Sequence, residues 1–224
     1  MLDAISDTLS SAVAIAISPI PIIAVILMLM TPRAARLGVS FLVGWVFGIV
    51  VTTTAMALVS GVIPEPSTDG TQPVLGAIMV LLGAGLLLLG WRQWRSRPEK
   101  GDTAELPAWM TKIDGLRPVA AFGLAFALAA VNPKNLLVAA SAGAVIGRSD
   151  LPSGEFVAVI AMFSGAAALS VLVPVLTALI APRAAAKALD GIRTWLTDNN
   201  AAIMTVLLAV IGVNVIGKGI GMFS

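Results

Sequence analysis

The chain has 224 residues, of which 58% are hydrophobic and only 12% charged, and its net charge is +2. Because a soluble domain carries about 25% charged residues, this composition excludes an ordinary water-facing surface, and the near-neutral charge gives no indication of nucleic-acid binding. Cysteine and histidine are absent, which excludes disulfides, thiolate or imidazole catalysis and the usual zinc ligands.

In chain order, apolar runs predict six transmembrane helices, since about 20 apolar residues in a helix cross a bilayer. The predicted segments are 4–30, 37–63, 74–91, 118–146, 156–181 and 201–222. We therefore expect an all-α membrane protein with a single transmembrane domain over residues 1–224. It would consist of two inverted three-helix repeats, 1–95 and 118–224, joined by a cytoplasmic linker, 96–117.

The positive charges predict an orientation, because short loops rich in Lys and Arg stay in the cytoplasm. Eleven of the fourteen Lys and Arg residues lie in the first, third and fifth connections. Tryptophans favour the headgroup zone, and Trp91, Trp94, Trp109 and Trp195 lie in or beside the same connections. We expect a multi-pass protein of the bacterial inner membrane with both termini outside.

The fifth connection contains an amphipathic pattern. Ala185, Leu189, Ile192 and Leu196 recur at helical spacing within Pro182–Asn200. This pattern is typical of a short helix that lies on the membrane surface, and we expect it to serve as a structural linker.

Two segments are interrupted by proline about fourteen residues from their start, near the middle of the bilayer. Segment one contains Ser18-Pro19-Ile20-Pro21, and segment four contains Asn132-Pro133-Lys134-Asn135. The carbonyls freed at such a break need protein or water as partners. Paired broken helices in opposite halves are typical of an inverted-repeat transporter. A single proline kink would be ordinary in a membrane protein.

Lys134 is the one basic residue deep inside a predicted segment, and no Asp or Glu is evident at that depth. An intramembrane ammonium faces the protein interior or a cavity. Its partner could be an anionic headgroup, the ligands of a coupling ion or a carbonyl of the facing broken helix, and a purely structural role is the alternative. We predict a substrate site of Ser18, Pro19, Pro21, Asn132, Pro133, Lys134 and Asn135, with half-helices starting near Ile22 and Leu136.

Small residues at fourfold spacing predict close helix packing. Gly44 and Gly48 mark segment two, Ser164 and Gly165 mark segment five, and Gly217 and Gly221 mark segment six. We expect segments two and five to pack against the broken helices.

The six segments and these motifs resemble the lysine-exporter (LysE) superfamily. Within it, the chain is most similar to the GAP family of actinobacteria, the peptidoglycolipid- and sulfolipid-addressing proteins. Residues 14–21, Pro32-Arg33 and Asn132-Pro133-Lys134 carry the resemblance, although Ile20 stands where amino-acid exporters often have glycine. The resemblance implies export of a glycolipid or lipid precursor towards the cell envelope.

We therefore predict a transporter that works by alternating access, with membrane lipids and an anionic lipid substrate as partners. The alternatives are an exporter of small polar solutes and a non-transporting scaffold of a lipid-export complex. A homodimer also stays open. We expect no enzymatic activity, cofactor, metal or nucleic-acid partner, and no phosphate-binding motif of the type G-x-x-x-x-G-K-[ST] is present.

Overall fold

The computed structural model describes residues 1–62, 73–95, 97, 113, 115–221 and 223. Within these ranges the regular structure is entirely helical, as the composition predicts. Most of the predicted linker 96–117 lies outside the described residues. The helices are α1 (Leu2–Ala16), α2 (Pro19–Leu29), α3 (Ala34–Val62), α4 (Pro73–Arg95), α5 (Pro118–Ala130), α6 (Pro133–Gly147), α7 (Ser153–Ile180) and α8 (Pro182–Ile220).

Proline sets the start of five of the eight described helices. A proline in the first turn has the required φ, and its missing N–H would have no helical partner there. The five are Pro19, Pro73, Pro118, Pro133 and Pro182. By contrast, Pro174 lies inside α7 without ending it.

Two predicted segments are pairs of helices that meet at an angle. The first segment consists of α1 and α2, which are bent by 55°, and the fourth consists of α5 and α6, which are bent by 62°. Both breaks lie at the predicted prolines. However, the second helix of each pair begins at Pro19 and Pro133, not near Ile22 and Leu136, because the prolines occupy the first helical turn instead of the interruption itself.

Among the described residues, α3, α7 and α8 are each long and apolar enough to cross a membrane, which gives three spans. Counting each bent pair as one span raises the number to five. A helix needs about 20 apolar residues to span a bilayer, and several such helices occur in one chain. The protein is therefore a multi-pass membrane protein.

The helices form two compact units by packing. Unit 1 contains α1, α2, α3, α5, α6, α7 and α8 as far as Leu196, and unit 2 contains α4 and α8 from Thr197. Each unit takes helices from both predicted repeats. The division into repeats at 1–95 and 118–224 stays a prediction.

Within unit 1, the helices run in two opposite directions. At one end, the start of α1 meets the start of α7 and the last turns of α3 and α6, through buried Ala4, Ala57, Ile146, Val159 and Ile160. At the other end, a Cβ on Gly38 of α3 would stand 2.6 Å from Leu29 Cδ2 and 3.6 Å from Val175 Cγ2. The pair α1–α2 and helix α7 are therefore parallel to each other and antiparallel to α3 and α6.

The two ends of unit 1 differ in charge. Among the described residues near the helix termini, the end at Leu29 carries only positive ones, and we call it the basic end: Arg33, Arg36, Arg117 and Arg183. The opposite end is mostly negative, and we call it the acidic end: Asp3, Asp7, Arg148, Asp150 and Glu155. Within unit 1, the described basic residues of the first, third and fifth connections thus lie at one end.

The predicted surface helix over Pro182–Asn200 is not a separate element. It forms the first half of α8, a continuous helix of 39 residues. Ala185, Leu189 and Leu196 are buried, and Ile192 is 46% exposed. No glycine or proline occurs between Gly191 and Gly212, so nothing in the backbone ends the helix before the predicted sixth segment.

In unit 2, α4 and the second half of α8 pack antiparallel through small residues. A Cβ on Gly83 would lie 2.7 Å from the Gly212 carbonyl oxygen, and one on Gly219 would lie 2.8 Å from the Gly76 carbonyl oxygen. The Thr205 hydroxyl donates to the Gly90 carbonyl oxygen at 3.2 Å. Small residues therefore recur every seventh position on both helices, at 76, 83 and 90 and at 205, 212 and 219.

The predicted packing glycine Gly217 has open space where its Cβ would be. The helix contact instead uses Gly212 and Gly219. These two glycines are seven residues apart, so they do not fit the fourfold spacing from which close packing was predicted.

Replacing Gly83 by leucine is expected to destabilise unit 2, because the new side chain would meet main-chain atoms of α8. Overpacking of this kind costs about 1–3 kcal/mol, which corresponds to a Tm loss of about 5 °C. Gly85→Leu is the matched control, since a Cβ at Gly85 meets no atom within 4 Å. Thermal unfolding of detergent-purified protein would measure both, and equal Tm values for the two variants would contradict the packing.

Candidate functional site

The first break is a tight turn centred on Ile17. Its φ of −80° and ψ of 62° are those of an inverse γ-turn, and the Ser18 amide donates to the Ala16 carbonyl oxygen at 2.9 Å. In a continuous helix the Ile17 carbonyl would accept from the N–H of residue 21. That residue is Pro21, which has no N–H. The turn therefore leaves the Ile17 carbonyl without a helical donor.

The second break is capped by its own asparagines. Asn132 is the N-cap of α6, and its side-chain oxygen accepts from the Lys134 amide at 3.0 Å. The Asn135 Nδ2 donates to the Leu128 carbonyl oxygen at 2.9 Å. In a continuous helix that carbonyl would pair with the N–H of residue 132. Asn135 therefore joins the end of α5 to the start of α6 across the bend.

Lys134 connects the two breaks. Its side-chain nitrogen donates to the Ile17 carbonyl oxygen at 3.2 Å, across 117 residues of chain. The residue is only 4% exposed, and it is the one charged residue buried in the described part of the chain. The bond satisfies the carbonyl that the first break frees.

The ammonium of Lys134 has no carboxylate partner among the described residues. The ion pairs there join the N-terminal amine to Glu155 and Arg193 to Asp190, away from both breaks in sequence. A carbonyl oxygen carries only a partial negative charge. The junction of the breaks therefore holds a buried amine with only a carbonyl oxygen as its partner, and a positive charge at such a position attracts an anion strongly.

The structure brings several predicted residues together at this junction and leaves others at its edge. Lys134 and Asn135 are buried in the turn of α6, while Asn132 is half-buried and Pro133 exposed. Ser18, Pro19 and Pro21 are buried at the first break. The Asn135 Oδ1 is buried without a hydrogen-bond partner among the described residues, so this amide keeps one acceptor for a ligand or a water.

Two contributors were not predicted from sequence, Ile17 and Leu128. Both side chains are apolar, and both residues act through their main-chain oxygens. Pro21 is a signal that could have identified Ile17, because a proline removes the helical donor of the carbonyl four residues earlier. Leu128 lies four residues before Asn132, where the helix breaks, so its carbonyl also loses its helical donor.

Close packing fixes α3 beside the second broken pair. A Cβ on Gly44 would collide with the main chain of Phe122, and one on Gly48 would lie 2.7 Å from the Ala129 Cβ. Gly143 and Gly147 of α6 make equally close contacts with Thr53 and Ala57. The Gly143–Gly147 pair was missed, although its fourfold spacing is readable in the sequence.

The predicted residues of α7 behave differently. Ser164 is buried, and its hydroxyl has no hydrogen-bond partner among the described residues. At Gly165 a Cβ would meet open space, so no close contact explains this glycine within unit 1.

Comparison with known protein families identifies a relationship that covers most of the chain. The sequence model of the sulfolipid-1-addressing proteins (SfLAP) matches residues 9–221. The chain belongs to this family. No curated protein and no solved structure shows significant similarity to it.

The family match covers both breaks, Lys134 and the contact glycines of both units. As a member of the sulfolipid-1-addressing family with several membrane-spanning helices, the protein fits a role in lipid export.

Proposed function

We propose that the protein exports an anionic glycolipid or lipid precursor towards the cell envelope by alternating access. The observation that carries this proposal is the buried Lys134 ammonium, which links two mid-segment breaks and has no carboxylate partner among the described residues. A sulfate or phosphate group would supply the missing negative charge. The family name, which refers to a sulfolipid, supports a substrate of this charge.

In the proposed cycle, Lys134 exchanges partners. Without substrate, the amine holds the Ile17 carbonyl oxygen and keeps α1–α2 next to α5–α6. When an anionic headgroup enters, the amine transfers its hydrogen bond to a headgroup oxygen, because a bond between two full charges is stronger than one to a carbonyl. The two bent helix pairs then separate, and the exchange couples substrate binding to the opening of the site.

The proposed architecture has six crossings in two inverted repeats. Helix α4, with 23 residues, would supply the sixth crossing beside the five candidate spans. Support for the repeat comes from reciprocal packing, since the broken helix α1 packs on α7 and the broken helix α5 packs on α3. The Ser-Pro break in the first segment and the Asn-Pro-Lys break in the fourth also support a relationship to the LysE superfamily.

The proposed orientation places the basic end of unit 1 in the cytoplasm of the bacterial inner membrane and both termini outside. The grouping of Arg33, Arg36, Arg117 and Arg183 at one end supports it, because short cytoplasmic loops are enriched in Lys and Arg. We further propose that the protein is not an enzyme. Energy for export would come from an ion gradient, from the substrate concentration or from a partner ATPase.

The test is transport by purified protein in liposomes. The liposomes would be loaded with an anionic glycolipid, a neutral glycolipid or a basic amino acid, and an ion gradient would be imposed. We expect movement of the anionic lipid alone. Movement of amino acids would favour a small-solute exporter, and failure of all three substrates, with the protein still needed for export in cells, would favour a scaffold.

The bend at the first break is expected to be necessary for this exchange. Pro19→Ala with Pro21→Ala would let α1 and α2 join, and the new N–H of residue 21 would pair with the Ile17 carbonyl. We expect export to fall several-fold without loss of folded protein. Since the chain has no cysteine, spin labels at Leu9 and Met30 would report straightening as a distance increase of about 3 Å.

Pro174→Ala is the matched control for this variant, because Pro174 lies inside α7 and does not break it. Normal export by the double proline variant, with the label distance increased, would show that the exchange does not depend on the bend.

A further inference from the structure

The end of α4 carries a cluster of tryptophan and arginine side chains that the proposed transport site does not use. We call it the Trp–Arg rim, and it consists of Trp91, Arg92, Trp94, Arg95 and Arg97. All five residues are exposed, the two tryptophans by 54% and 43%. The chain has no acidic residue from position 73 to position 97. The charged side chains of the rim itself are thus all cationic and exposed, and they lie at the end of an apolar helix.

The arginines of the rim are held by the tryptophan rings. The Arg95 guanidinium carbon lies 5.0 Å from the centre of the Trp91 ring, and that of Arg97 lies 4.0 Å from the Trp94 ring. The Arg97 amide also donates to the Trp94 carbonyl oxygen at 3.4 Å. A guanidinium stacked on an indole keeps its N–H edge free for a phosphate, which it can bind through two parallel hydrogen bonds.

The helix before the rim provides an apolar surface. Leu81, Leu82, Leu88 and Leu89 are each at least half exposed, and the last two lie less than one turn before Trp91. Exposed leucines along a membrane helix fit acyl chains, and Trp and Arg at its end fit the headgroup level. Charge and polarity therefore change along α4 in the same order as along a phospholipid, from acyl chain to phosphate.

We propose that the Trp–Arg rim binds an anionic phospholipid, with the phosphate against the guanidinium groups and the acyl chains along the exposed leucines. The site is separate from the junction at Lys134, and it does not depend on what the protein transports. It would anchor unit 2 to a leaflet rich in anionic lipid, since each Arg near such a surface adds attraction.

The test compares lipid retention by matched variants. Protein purified from mixed micelles of phosphatidylglycerol and phosphatidylcholine would be examined by native mass spectrometry. Replacing Arg92, Arg95 and Arg97 together by glutamine is expected to lower phosphatidylglycerol retention at least about fivefold. The control replaces Arg36, Arg117 and Arg183 by glutamine. These are also exposed, but no tryptophan stacks on them among the described contacts, and less than a twofold change is expected.

Two further measurements separate the proposal from simple charge attraction. Trp91→Leu with Trp94→Leu keeps every charge and is expected to lower retention severalfold, and inorganic phosphate at millimolar concentration is expected not to displace the lipid. In the unmodified protein, brominated phosphatidylglycerol should quench tryptophan fluorescence more than brominated phosphatidylcholine does. Equal losses in both arginine triples, displacement by free phosphate, or equal quenching by the two lipids would each overturn the proposal.

Discussion

Replacing Lys134 by alanine is expected to reduce export of an anionic lipid by about 10-fold to 150-fold, because a hydrogen bond to a charged group is worth about 1.5–3 kcal/mol. Lys134 holds the only buried charge in the described chain, so no neighbouring cation can replace it. The initial rate of lipid movement in liposomes would measure the effect. The affinity for the anionic lipid should fall by a similar factor.

Three variants distinguish this role from a structural one. Lys134→Met keeps the length of the side chain and removes its charge, so it should remain folded and yet be inactive. Lys134→Arg keeps the charge and should retain part of the activity. Arg148→Ala removes an exposed arginine from the end of the same segment and should export normally. If Lys134→Met transports at the normal rate, the lysine has no role in substrate binding.

Replacing Gly44 by leucine is expected to have the largest effect on stability. The Cβ alone would overlap main-chain atoms of Phe122, and a main chain inside a packed helix pair cannot turn aside as a side chain can. Overpacking of 3 kcal/mol or more would lower the Tm by about 10 °C. The fraction of monodisperse protein after heating in detergent would measure it.

The control for this variant lies on the partner helix. Gly123 of α5 follows Phe122 directly, and a Cβ there meets no atom within 4 Å. Gly123→Leu should therefore leave the Tm within about 2 °C of the original, as expected for an exposed position. A loss at Gly123 as large as that at Gly44 would mean that leucine harms this helix pair for a reason other than the contact.

Both broken helices could be predicted from the sequence, because proline removes a backbone donor wherever it occurs. The charge difference between the two ends of unit 1 also followed from the sequence, since basic residues in alternate loops must meet at one end. The burial of Lys134 was predictable from its apolar neighbours. These features depend on local chemistry or on simple alternation along the chain.

Other features needed the structure. The partner of Lys134 was one of three alternatives, and only the coordinates identify the Ile17 carbonyl. The length of α8 was missed because a change from polar to apolar residues at position 201 looks like a boundary, although the backbone contains no helix breaker there. The contact between α4 and α8 was missed because it repeats every seven residues instead of every four.

Position 17 can vary in evolution, because it contributes its main-chain oxygen and not its side chain. Many side chains at position 17 leave the oxygen in place, so an alignment of homologues read by residue identity would pass over this position. The two residues whose identity matters are Pro21, which lacks the N–H that would pair with the Ile17 carbonyl, and Lys134, which donates to that carbonyl instead. The interaction between the two broken helix pairs thus depends on one amine and one missing amide hydrogen.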